Sequence, residues 1–263
     1  MTRRRGRLRR AVLLTAGLGC TTWALAQDSD ERPSVTPYRP SVSTPAALSA
    51  PGWLEVEAGL LRANGPAVAR RDSLPVTAKL AFTADWGVRI GSDSWVRQRD
   101  ENGQRLSGGG DTSIVLKRRF AVDEATAFGL EAGATVATGK SGIGNGKSDY
   151  SVNGIYSADL GDFHTDINIV ATRIGNVDPG AGRVQTLWAA SLSRSLTERW
   201  GVVAEVSGTR RRGVDGTGQI LAAASYNVSK SLTLDAGAAR SIRSGGPDTF
   251  VFAGFTWLVG RLF

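Results

Sequence analysis

The sequence predicts an all-β fold: a closed antiparallel up-and-down transmembrane β-barrel of about twelve strands. Three observations carry this reading. Apolar and polar residues alternate with period two from Trp53 to the end of the chain. The connections between the alternating segments are short and long by turns. Aromatic residues gather at both ends of those segments.

The alternation is clearest in residues 127–137, where Phe128, Leu130, Ala132, Ala134 and Val136 form one face and Gly129, Glu131, Gly133 and Thr135 the other. Tyr150 to Asp159 behaves in the same way, with Ile155 as the exception. Candidate strands fall at 53–62, 74–84, 86–97, 112–120, 127–137, 148–159, 163–173, 184–196, 200–210, 218–228, 231–241 and 248–262. Most are near the ~9–11 residues that a tilted strand needs to cross a bilayer. The even count brings both ends of the barrel to the same side.

Short connections follow every second strand, at Asp85, 121–126, 160–162, 197–199 and 229–230. The intervening ones, 63–73, 99–111, 138–147, 175–183, 211–218 and 243–248, are longer and rich in Gly and charge. Short periplasmic turns and longer outer loops give this rhythm in outer-membrane barrels. Trp53, Trp86, Phe128, Phe163, Trp200 and Trp257 lie near the short turns, and Trp95, Tyr150, Trp188 and Phe250 near the loops. These predict two interfacial belts. Phe263 ends the chain, with Phe255, Trp257 and Val259 before it at two-residue steps and Arg261 interrupting. This resembles the C-terminal signal that the barrel assembly machinery reads.

The beginning of the chain accounts for its charge. Without the six arginines among residues 3–10, the formal charge falls from +8 to +2. A basic nucleic-acid surface is therefore unsupported. The basic stretch, the apolar run 11–26 and Ala24-Leu25-Ala26 have the three parts of a secretory signal, which places cleavage after Ala26 and the mature start at Gln27. A lipoprotein start at Cys20 is the rival reading, but Gly17 stands where Leu is usual. Cys20 is the only cysteine, so the mature chain has no disulfide and no thiolate site. Residues 27–51 carry several prolines and no periodicity, and read as a disordered periplasmic segment ahead of a barrel over 52–263.

With the apolar face outward, charge is directed into the lumen. Lys79, Arg89, Arg97, Lys117 and Arg119 would form a basic wall, with Asp93 the exception. Glu55, Glu57, Glu131, Asp159, Asp166, Glu205 and Asp235 would form an acidic one. These twelve are the candidate pore-lining residues. They either pair to fill a narrow interior or set a transverse field that selects solutes.

Catalytic and cofactor motifs fail on spacing. Gly139-Lys140-Ser141 and Gly146-Lys147-Ser148 resemble the end of a phosphate loop, but Ala134 and Ser141 stand where its first glycine is required. The single histidine, His164, shares a strand face with Asp166, and no nucleophile motif accompanies it. One His without Cys makes a transition-metal site unfavourable. No catalytic, cofactor or metal residue is assigned.

Residues 74–91, 108–120, 136–163 and 232–257 resemble the outer-membrane "MetA-pathway of phenol degradation" transporter family. The resemblance implies a barrel that takes up small solutes, aromatic compounds among them, and supplies no catalytic residues. The expected partners are outer-membrane lipid and lipopolysaccharide, the assembly machinery and small-molecule solutes, in a Gram-negative outer membrane. A barrel enzyme of lipase or protease type, and a structural or adhesive barrel, are the alternative functions.

Overall fold

A computed structural model describes residues 32–65, 69–100, 102–243 and 245–263. The proposed signal, Gln27 and Cys20 lie outside the described residues. Among the described residues thirteen strands form: β1 (Trp53–Asn64), β2 (Arg70–Ala81), β3 (Trp86–Arg99), β4 (Arg105–Gly108), β5 (Thr112–Ala121), β6 (Thr126–Val136), β7 (Asp149–Leu160), β8 (Phe163–Arg173), β9 (Val184–Ser195), β10 (Trp200–Arg211), β11 (Val214–Ser229), β12 (Leu232–Ser241) and β13 (Thr249–Arg261). Twelve close into an antiparallel barrel. Each pairs with its sequence neighbours, β3 with β5, and β13 with β1. β4 is a short extra hairpin strand on the upper part of β3.

The period-two pattern works here with its faces inverted relative to a water-soluble barrel. Leu60 is 64 % exposed and Ile169 62 % on the outer surface, whereas inside Glu55 is 0 % exposed and Lys117 2 %. A continuous apolar exterior has no stable place in water. In hydrocarbon it is favourable, and the closed ladder leaves no backbone edge unpaired there. Five turns of two to four residues join the strands at one end, at 82–85, 122–125, 161–162, 196–199 and 230–231. Trp86, Phe128, Phe163, Trp200 and Trp257 project outward near that end, and Trp95, Tyr150 and Trp188 near the other; all eight are exposed.

The structure departs from the sequence expectation in several places. β4 forms inside the expected loop 99–111. The expected loop 211–218 is a tight turn at Arg212-Gly213, because β10 and β11 keep pairing from Thr209 to Thr217 and again at Arg211 and Val214. Trp53 falls in step with Glu55, and Phe250 in step with Gly254 and Thr256, so both belong to the inner face and not to the belts. Their position near a strand end suggested a belt; strand parity turns them inward. A register shift between β1 and β13, at Leu54/Glu55, pairs Arg261 with Trp53 and moves it off the face of Trp257 and Val259. That is why an arginine can interrupt the last strand's apolar series.

Candidate functional site

The lumen is occupied by the chain's own residues 32–50. They form a strap that enters near the β11–β12 turn, where Val35 N–H donates to the Lys230 carbonyl, and leaves at Pro51 into β1. The expectation of a disordered periplasmic segment is corrected for these residues. The strap has no periodicity because it forms no regular element. Seven of its backbone groups instead meet side chains that the barrel directs inward.

Those contacts come from seven of the twelve barrel strands. On β1, Glu55 accepts from Thr36 N–H at 2.9 Å and Glu57 from Tyr38 N–H at 2.7 Å. On β2, Lys79 donates to the Thr36 carbonyl at 2.6 Å. Lys117, on β5, donates to the Pro45 carbonyl, and to the Tyr38 hydroxyl at 3.0 Å. Ser157 on β7 accepts from Ala46 N–H at 2.7 Å, and Asn168 on β8 from Thr44 N–H at 3.1 Å. Glu205 on β10 accepts from both the amide and the hydroxyl of Ser43, at 2.8 and 2.9 Å. Arg39 meets Asp235 on β12 through two parallel bonds of 3.1 and 3.0 Å. Each charge-assisted bond contributes roughly 1.5–3 kcal/mol.

Packing reinforces the polar latch. The Tyr38 ring lies between two ammonium groups, with Lys79 Nζ 4.0 Å and Lys117 Nζ 4.2 Å from its centroid. Cations over a ring face are attracted by its quadrupole, most strongly where water is excluded. Ala46 is fully buried against Ala127 and Ile155. Ile155, the one residue that broke the alternation of its strand, is thus the apolar seat of the strap. Gly59 and Gly254 make room for Arg39: a Cβ at either would stand 2.6 Å from its Nη2.

The expected pore-lining residues divide accordingly. Glu55, Glu57, Lys79, Lys117, Glu131, Glu205 and Asp235 are buried on the inner face. The two walls meet in contact instead of facing across open water. Lys79 bridges Glu55 at 2.5 Å and Glu57 at 2.6 Å, and Glu131 receives Arg89 at 3.0 Å and Lys117 at 3.6 Å. Asp93 pairs with Arg71 at 2.9 Å. Arg119 keeps the inward parity of Lys117 near the short-turn end. Arg97 does not line the lumen. A bulge opposite Leu74/Pro75 leaves Ser94 without a partner, which reverses the parity of β3 beyond it and pairs Arg97 with the outward Asp72.

Beside the strap, a cavity of about 930 Å³ opens toward the short-turn end along β8–β12, lined by Asp159, His164, Asp166, Ser191, Ser193 and Asn227 among others. His164 lies between two carboxylates, with Nδ1 2.6 Å from Asp159 and Nε2 3.2 Å from Asp166. Ser157 donates to Asp166 at 2.5 Å. The carboxylate therefore stands between hydroxyl and imidazole, whereas a nucleophilic serine needs the imidazole in direct contact. At the other end, residues 137–148 run directly into β7 with no intervening helix, so the phosphate-loop likeness has no helix N-terminus to complete it. Asp111 accepts the amides of Gly139 and Asn145 there, at 2.8 and 2.6 Å.

No protein-family model and no curated protein matches the sequence. Solved structures do match the fold. An outer-membrane channel from Pseudomonas putida F1 superposes with a TM-score of 0.63 and 12% identity, covering 81% of this chain and 97% of that one. The NanC porin gives 0.57 and 8%, with 78% and 98% covered, and the CymD monoaromatic hydrocarbon channel 0.50 and 9%, with 81% and 90% covered. The chain has the closed antiparallel twelve-stranded fold of outer-membrane β-barrel proteins, with charge inside and apolar residues outside.

Proposed function

We propose that the protein is a passive outer-membrane channel for small polar solutes, with the strap of residues 32–50 setting its bore. One observation carries the reading: the strap is latched across a charged lumen and leaves a cavity of about 930 Å³ beside it, with Asp159, His164, Asp166, Ser191 and Ser193 in its lining, open to the short-turn mouth. A wet, polar lumen inside an apolar shell is the physical requirement for moving solutes across a bilayer by diffusion. Aromatic solutes within that class rest on the sequence resemblance alone. On this reading the short turns face the periplasm, the export signal ends at Ala26 and the mature chain starts at Gln27.

The geometry around Ser157 favours a channel over a hydrolase, because Asp166 occupies the hydroxyl that His164 would have to activate. The reading is tested in planar lipid bilayers with the purified full chain. Discrete conductance steps are expected. Silent membranes from protein that remains folded would overturn it.

A further inference from the structure

We propose that the outer face of β1–β4 at the long-loop end binds the phosphate groups of lipopolysaccharide. The site is a product of the Ser94 bulge. By reversing parity, the bulge turns Arg97 and Arg99 out of the lumen, where they pair with Asp72 and Arg70 of β2. Arg62 of β1 stands across from Asp72 on its other side, and β4 brings Arg105 opposite Arg99. Five guanidinium groups thus share one outward face with one carboxylate among the described residues. Asp72 is engaged by Arg62 at 2.6 Å and Arg70 at 2.9 Å. A cleft of about 140 Å³ is lined by Arg70, Asp72, Arg97, Arg99 and Arg105.

Position and charge together identify the occupant. Leu60 and Trp95, both exposed on the same outer face, lie two residues below Arg62 and Arg97 on their strands. The surface changes from apolar to cationic in a single step, at the height where acyl chains give way to headgroups. Five cations with one carboxylate repel one another unless an anion joins them. Guanidinium groups engage phosphate oxygens bidentately. An occupant that places acyl chains against Leu60 and Trp95 and phosphates among the arginines is a phosphorylated lipid. The outer leaflet supplies it as lipopolysaccharide. This inference rests on the outer-membrane placement proposed above, but not on conduction.

The full chain, folded in detergent, is incubated with lipopolysaccharide, with its dephosphorylated form, or with inorganic phosphate as competitor, and retained lipid is measured by native mass spectrometry. The native protein should retain phosphorylated lipid. Arg97→Gln/Arg99→Gln/Arg105→Gln should weaken retention about tenfold or more, as expected for lost charge-assisted bonds. Arg97→Lys/Arg99→Lys/Arg105→Lys, which keeps the charge and therefore the fold, should still weaken it by losing the bidentate geometry. Equal retention by native protein and both variants, or equal retention of dephosphorylated lipid, would overturn the assignment. Displacement by millimolar phosphate would also overturn it, by showing a site for the free anion. Arginine-dependent retention by a protein that conducts nothing would leave this inference standing while the channel reading fell.

Discussion

The Lys79 ammonium lies 2.6 Å from the Glu57 carboxylate and 2.5 Å from that of Glu55, and all three side chains are buried inside the barrel. A buried cation shared by two carboxylates is sensitive to the loss of one partner. Lys79→Gln leaves two acids facing each other in a confined space. It should destabilise the barrel by about 3–5 kcal/mol. The check is the temperature at which the folded band converts to the unfolded one on a detergent gel. Adding Glu55→Gln and Glu57→Gln to Lys79→Gln should restore much of the loss.

The same gel tests the fold itself. A closed barrel has no free edge, so detergent alone does not open it. Boiled and unboiled samples should migrate differently. Identical migration would contradict closure.

The strap is tested by accessibility. Ser43 is 1 % exposed under Glu205. In a Cys20→Ser background, Ser43→Cys should resist a maleimide until the protein is denatured. Adding Tyr38→Ala and Arg39→Ala removes the ring between the lysines and the bidentate pair with Asp235, and should raise both the labelling rate and the unit conductance. Immediate labelling without those changes would mean the strap does not stay in the lumen.

The charged walls make opposite forecasts for different residues. Lys79, Arg89 and Lys117 all contact buried carboxylates. Replacing these three together with Gln should therefore cost stability more than it changes ion preference. Arg119 faces inward like Lys117, nearer the short-turn end. Arg119→Gln should shift the reversal potential toward cations under a salt gradient, with the gel transition unmoved.

Much of the barrel was legible because alternation survives inversion. A strand between lipid and a polar lumen is as two-faced as one between core and water, and twelve such segments were readable to within a few residues at their ends. The failures have separate physical causes. The Ser94 bulge separates Arg97 from the regular alternation of Arg89 and Asp93, and a single inserted residue exchanges inside for outside. β4 spans only four residues in a Gly-rich stretch, too few to show a period. The strap was hidden for a different reason. Its order comes from side chains far away in sequence, as in the 196 residues separating Arg39 from Asp235, and a polar proline-rich segment carries no trace of such partners. Ile155 was the available hint, since an apolar side chain directed into a polar lumen requires something apolar to cover it.

The latch also gives the tube a mechanical property. Lys117 holds the Pro45 carbonyl from β5, and Glu205 holds Ser43 from β10. These strands stand five places apart in a ring of twelve, nearly across a diameter. A hollow cylinder in a bilayer under lateral pressure yields first by flattening into an ellipse, because bending its wall is easier than stretching it. A tie between opposite sides stiffens that mode at little cost in material. Residues 32–50 are such a spoke, so a change that unlatches them should leave the wall rounder on average but softer.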